Sequence, residues 1–289
     1  MHQEAPSWSA VMVALQRAAH QTLDQPPLFA DPFAACILPP MARGILETNP
    51  DRIGRSWYSS YLRAALAARS RIAEDALADA VARGVTQYVV LGAGLDTFAL
   101  RNPHPALRVF EVDHPNTQAF KRQRLQDEGL KPAGSLTFVP VDFERQDLTV
   151  ELLTAGLDPT KSTFFSWLGV TPYLELPAID ATLRSVASLA GRDGGIAFDF
   201  FRRLRRGEWL MRFLVWLRSR RLARRGEPFR THLDPHELRT GLASLGFANV
   251  DVLGPSEINA RYFAASGSRL RVSPIAYVAV AARVLKSAT

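Results

Sequence analysis

The spacing of apolar residues changes period near residue 85, and that change divides the chain. Upstream, Val11, Leu15, Ala18 and Ala19 recur on one helical face, which predicts a helix over Trp8–Leu23. Pro26, Pro27 and Pro32 then punctuate a turn leading to another short helix. Tyr61–Ala82 is alanine-rich and free of Pro and Gly, so a long helix is expected there, ending near Gly84. Downstream, short apolar runs at Tyr88–Leu91, Val109–Asp113, Leu136–Val141, Thr163–Trp167 and Gly195–Phe200 read as buried strands with helical stretches between them. Asp234, Pro235 and Glu237 carry the marks of an N-cap, a first-turn proline and a capping acid. They predict a helix over Pro235–Leu245, with His232 and His236 as solvated residues at its start. Val250–Leu253 reads as a strand, and Pro274–Val284 alternates like a closing antiparallel strand.

Strands alternating with helices imply a doubly wound α/β sheet. The expected organisation is one domain, 1–289. It comprises an N-terminal helical region 1–84, a core 85–200, an arginine-rich cover 201–233 after the fifth strand, and a C-terminal helix with closing strands 234–289.

Composition narrows the classes. A chain of 289 residues, 47% hydrophobic and 22% charged, can bury a full α/β core. Cys36 is the single cysteine, which excludes internal disulfides, a cysteine zinc cage and a cysteine-held iron–sulfur cluster. The grouping of Asp, Glu and His has no metal-ligand spacing, so no metal is expected. Met1–Trp8 lacks a basic-then-apolar pattern and no apolar run reaches membrane-spanning length, so a cytoplasmic location without a transmembrane segment is expected. The net charge of +7 comes from one place. Arg202, Arg203, Arg205, Arg206, Arg212, Arg218, Arg220, Arg221, Arg224 and Arg225 crowd one segment, and the rest of the chain is close to neutral.

The candidate chemistry begins at Val90-Leu91-Gly92-Ala93-Gly94, where a buried strand runs into a glycine turn. A second strand follows and ends in Asp113, placed to take both hydroxyls of a ribose. The third glycine of the dinucleotide fingerprint is replaced by Thr97, so a pyrophosphate ligand such as NAD is disfavoured. S-adenosylmethionine, which has no pyrophosphate, fits the loop better.

Five segments together carry a family resemblance: Phe29-Ala30-Asp31-Pro32-Phe33, Ala68-Arg69-Ser70-Arg71, Gly92-Ala93-Gly94-Leu95-Asp96-Thr97, Glu111-Val112-Asp113-His114-Pro115 and Gly169-Val170-Thr171-Pro172-Tyr173. The chain resembles the leucine carboxyl methyltransferase-like family of S-adenosylmethionine-dependent methyltransferases, and within it the bacterial branch of small-molecule O-methyltransferases. The resemblance implies a Rossmann-like fold of the class I methyltransferase type and S-adenosyl-L-methionine as cofactor. It assigns Arg69 to the methionine carboxylate, Gly92, Ala93 and Gly94 to the cofactor loop, Asp113 to the ribose, and Asp142 with Phe143 to adenine. It implies that Tyr173 faces the transfer site. Members often carry an acid where this chain has Leu168.

The implied reaction is methyl transfer to a hydroxyl or carboxyl of a small molecule, as in polyketide-type secondary metabolism. A carboxylate acceptor needs no base; for a hydroxyl, Tyr173 and His114 are the nearby groups able to take a proton. The amide or acid that would grip a base nitrogen is missing before Pro172-Tyr173, which disfavours N-methylation of a nucleobase. Other readings stay open on the sequence: protein C-terminal carboxyl methylation, a binding protein with a vestigial pocket, or an RNA-modifying enzyme, with nucleic acid the least favoured partner. Trp209–Leu217 is too broadly apolar for a helix in water on most sides. It is expected to cover the acceptor pocket, against a membrane-surface contact through 202–225 or a dimer contact. The arginines would suit an anionic or carrier-bound acceptor. The oligomeric state is open.

Overall fold

Why the five apolar runs become one sheet is visible in their alternation. In the computed structural model, which describes residues 7–54, 57–143, 145–224, 228–264 and 268–283, β1 (Gln87–Leu91) is buried at every position. Val89 and Leu91 point into one core cluster and Tyr88 and Val90 into another. A strand buried on both faces must have cover on both, and β1 lies inside the sheet with a strand paired on either side.

Among the described residues the sheet has seven strands: β1, β2 (Arg108–Asp113), β3 (Leu136–Pro140), β4 (Thr163–Trp167), β5 (Gly195–Phe201), β6 (Asn249–Leu253) and β7 (Ala276–Ala282). Their order is β3-β2-β1-β4-β5-β7-β6, and β7 runs antiparallel to both of its neighbours. The order of strand addition reverses between β1 and β4, which run parallel, and Leu91 pairs with Trp167 on one side and Val112 on the other. This is the switch point at which open α/β sheets leave a crevice beyond the strand ends.

Among the described residues four helices precede the sheet: α1 (Trp8–Leu23), α2 (Pro40–Thr48), α3 (Pro50–Gly54) and α4 (Trp57–Ala82). Helix α4 starts four residues before the expected Tyr61 and lays Ala73, Leu77 and Ala80 on the face of Tyr88, Val90 and Phe164. Small side chains let the helix approach the strands closely. Helices α1 to α3 form a separate cluster with Leu95, Leu100 and Leu125, so the N-terminal region packs on the loop after β1.

The remaining α-helices among the described residues are α5 (Phe98–Arg101), α6 (Pro115–Asp127), α7 (Leu148–Thr154), α8 (Leu176–Leu189), α9 (Trp209–Ala223), α10 (Pro235–Ser244) and α11 (Pro255–Ile258). Ser7, His114, Asp147 and Asp234 cap α1, α6, α7 and α10 with their side chains.

Two expectations around α10 change. Glu237 does not close a capping box: its carboxylate lies 3.2 Å from Arg203 instead. His232 is not solvated. It is half-buried beside the Phe201 ring, its Nε2 is buried without a partner, and burial pushes its pKa down. The cause is a short bridge of Leu233 with Arg202, which draws this stretch against the end of β5. Val284 and Arg225 lie outside the described residues, as does most of Met1–Trp8.

Candidate functional site

A cavity of about 900 Å³ opens at the carboxyl ends of the strands. Arg69, Gly92, Ala93, Gly94, Asp113, Asp142, Phe143, His114 and Tyr173 all line it, so the residues singled out in the sequence are brought together although they span a hundred positions.

The glycine loop is shaped by two positive φ angles, +66° at Gly92 and +50° at Gly94, a region L side chains rarely enter. Space is also limiting. A Cβ on Gly92 would lie 2.3 Å from Val170 Cγ2. The loop points its Gly94 N–H at Asp113 Oδ2, 2.5 Å away, while His114 N donates to Oδ1 at 2.7 Å. Burial raises the Asp113 pKa, and the two N–H donors offset only part of that. Glu111, two residues earlier on β2, does not line the cavity and forms a buried ion pair with Lys121 of α6.

Asp142 stands two residues beyond β3, in a turn where its N–H donates to Gln146 Oε1 at 2.9 Å. Arg145 Nε lies 3.6 Å from its carboxylate. Phe143 packs against the main core beside it. His114 is exposed, and its Nδ1 accepts the Asn116 N–H at 3.2 Å as the cap of α6.

Arg69 extends from α4 to the tip of β5. Its Nη1 donates to Asp199 Oδ2 at 2.8 Å, and Asp199 Oδ1 takes the Gly169 N–H at 2.5 Å. Gly169 has φ +78°, and a Cβ there would meet Arg69 Nη2 at 2.8 Å. Asp199 was not among the residues expected in the site. Its signal is a lone carboxylate inside the apolar run Gly-Ile-Ala-Phe-Asp-Phe-Phe of β5. Leu168, where the family resemblance led to the expectation of an acid, lines the cavity and packs against the cluster of Tyr88 and Val90. The acid that reaches Gly169 comes from β5 instead.

A second unexpected group holds the loop from behind. Arg17 of α1 pairs with Asp31, donates to Asp96 Oδ2 at 3.1 Å and to Thr97 Oγ1 at 2.9 Å. Thr97 Oγ1 in turn donates to Asp31 Oδ2 at 2.7 Å. Burial alone would raise the Asp96 pKa, but Arg17, Lys121 and Arg101 outweigh it and the pKa falls below the ordinary value. Thr97, where the dinucleotide fingerprint has a glycine, is thus a buried anchor.

A further group of lining residues is aromatic and aliphatic. The Tyr173 ring stands 5.5 Å from Phe229, which meets Phe201 edge-on at 5.1 Å. Met211, Leu214 and Val215 of α9 complete this wall. The arginine-rich segment thus contributes lining residues to the cavity through α9. Among the described residues, no cluster of three His, Cys, Asp or Glu is arranged to hold a metal ion, and no helix is long and apolar enough to cross a membrane.

The family described as leucine carboxyl methyltransferase matches residues 10–187. A Bacillus subtilis protein provisionally named S-adenosyl-L-methionine-dependent methyltransferase YktD is 31% identical over 91% of this chain and 93% of its own length. A Mycobacterium ulcerans protein with the same provisional description is 36% identical, covering 68% of this chain and 66% of that one. Among solved structures, a protein of the DUF574 family from Streptomyces avermitilis superposes with a TM-score of 0.61 at 17% identity, covering 96% of this chain and 98% of that one. One from Thermobifida fusca, provisionally titled a methyltransferase, gives 0.55 at 13% identity, covering 98% and 96%. These two likenesses concern the fold.

Proposed function

We propose, for a chain that belongs to the leucine carboxyl methyltransferase family and is an S-adenosylmethionine-dependent methyltransferase, that its acceptor is an oxygen, hydroxyl or carboxylate, of a small molecule. The observation that carries this reading is a single cavity lined both by the glycine loop with its acids and by the wall of Tyr173, Phe201 and Phe229.

The residues present fit the cofactor. Asp113 is a mostly buried carboxylate beside a glycine loop that a Cβ at Gly92 would close, the arrangement a ribose needs. Arg69 lines the cavity and still has a buried Nε–H without a partner, so Asp199 does not exhaust its capacity for a carboxylate. Asp142 and Phe143 offer an acceptor and a ring for adenine.

When bound, S-adenosylmethionine supplies a methyl group on a sulfonium, so the oxygen–carbon bond forms as the carbon–sulfur bond breaks. The chain's own task is to align the acceptor and exclude water. Met211, Leu214 and Val215 shed water from the acceptor's surroundings. A carboxylate acceptor arrives ionised and needs no base. For a hydroxyl acceptor Tyr173 Oη would hydrogen-bond the reacting oxygen, and the proton passes to solvent water as the oxygen–carbon bond forms. His114 suits the role of base poorly, because an Nδ1 that accepts the α6 cap leaves the neutral ring with Nε2 as a donor. Thr171 donates its hydroxyl to the Asp199 carbonyl at 2.7 Å and is buried outside the cavity lining, so the position before Pro172 presents no amide or acid to an amino group, which supports oxygen over nitrogen.

Calorimetry with S-adenosylhomocysteine, followed by mass spectrometry of cell extracts incubated with methyl-labelled cofactor, tests the reading. Binding that is lost in Asp113→Ala and a labelled ether or ester product are expected. Absence of binding, or a labelled amine as the product, would refute it.

A further inference from the structure

The cavity accounts for only one side of α9. Met211, Leu214 and Val215 line it, yet on the opposite side Trp209 is 71% exposed, Phe213 53% and Trp216 49%. Positions 209, 213, 216 and 220 fall on one stripe at helical spacing. Phe213 and Trp216 stack at 5.9 Å, and the Arg220 guanidinium sits 4.9 Å from the Trp216 ring. A row of large rings in water on a helix already packed on its other side marks a surface that meets something.

Charge decides what. Helix α9 contains no acid. Arg202 and Arg203 are answered by Glu208 and Glu237, but Arg212, Arg220 and Arg224 form no ion pair among the described residues. A second copy in two-fold contact would set α9 against α9, placing arginine against arginine with no carboxylate to offset it. An anionic surface answers the arginines, and tryptophans with arginines alongside them are the pattern that sits between headgroups and acyl chains.

We propose that the outer face of α9 docks on an anionic lipid surface, with Trp209, Phe213 and Trp216 entering the interface and Arg212, Arg220 and Arg224 meeting headgroup phosphates. The inner face of the same helix walls the acceptor cavity, so docking sets that cavity about 10 Å from the lipid, the width of one helix. The docking surface stands independently of which acceptor is methylated.

The test is co-flotation of the full chain with vesicles of phosphatidylcholine alone or mixed with phosphatidylglycerol, with tryptophan emission as a second readout. Binding to the mixed vesicles should exceed binding to phosphatidylcholine by roughly tenfold and fall steeply when salt is raised to about 0.5 M. The triple variant W209A/F213A/W216A should lose roughly tenfold or more in vesicle binding and its blue-shifted emission. Its side chains are exposed, so its melting temperature and S-adenosylhomocysteine affinity should match the parent. Arg212→Glu with Arg220→Glu should remove the anionic preference. Absence of vesicle binding, or undiminished binding by the triple variant, overturns the proposal. So does a dimer of the parent that the triple variant dissolves, or binding to an acidic acyl carrier protein but not to vesicles.

Discussion

Arg69 Nη1 and Asp199 Oδ2 lie 2.8 Å apart, joining a helix that precedes the sheet to the tip of its fifth strand, in side chains 12% and 14% exposed. Asp199 also holds the Gly169 N–H, so one carboxylate fixes both the arginine and the turn after β4. Removing one partner of a mostly buried pair leaves an uncompensated charge. Asp199→Ala is therefore expected to destabilise the chain by about 3 kcal/mol and to weaken S-adenosylhomocysteine binding. Asp199→Asn, which keeps an oxygen for Gly169, should lose less stability while still loosening Arg69. Chemical denaturation and calorimetry read the two effects separately; equal affinity in all three proteins would remove Asp199 from the site.

Gly92 is constrained twice, by φ +66° and by Val170 Cγ2. Gly92→Ala should cost about 1–3 kcal/mol and most of the cofactor affinity. Pairing it with Val170→Ala relieves the collision but not the backbone strain, so the double variant should recover part of the affinity. Recovery to the parent level would show that space alone matters.

Asp113 carries a pKa raised above 3.8 by burial. With Asp113 assigned to the ribose as proposed, the hydroxyls would donate to its ionised form, so S-adenosylhomocysteine affinity should fall as pH drops through the raised value. Asp113→Asn should bind more weakly and without that step. For folding the sign is reversed. A raised carboxyl pKa gives a stabilising contribution that is complete below the unfolded value and is lost as pH rises through the folded one. A titration by calorimetry in which parent and variant show the same pH profile would contradict the assignment.

Thr97 and Asp31 anchor the loop through Arg17. Asp31→Ala leaves Arg17 buried without its main partner and should cost about 3–5 kcal/mol. Thr97→Gly restores the dinucleotide fingerprint in letter only. It should lower the melting temperature and create no NAD affinity, since the loop's role here is to be tied to α1. Detectable NAD binding by that variant would count against this reading of Thr97.

Much of this architecture was legible in the chain. Strands buried on both faces need continuous apolar runs, and a cofactor loop needs glycines where the backbone turns, so Tyr88–Leu91, Gly92-Ala93-Gly94 and the acid at Asp113 announce themselves through local rules. Periodicity also placed α4, α10 and the antiparallel β7, with ends shifted by a few residues where capping and pairing set the limits. Other features depended on groups distant in sequence. Asp199 reads as one misplaced carboxylate until β5 is set beside the turn at Gly169, and Thr97 reads as a missing glycine until Arg17 and Asp31 are folded against it. His232 reads as solvated until the bridge between Leu233 and Arg202 presses it against Phe201. Periodicity and turn chemistry act over a few residues and are written in order along the chain. Which buried charge meets which, and which face of α9 looks inward, is set by packing among segments up to a hundred residues and more apart, and only the folded chain decides it.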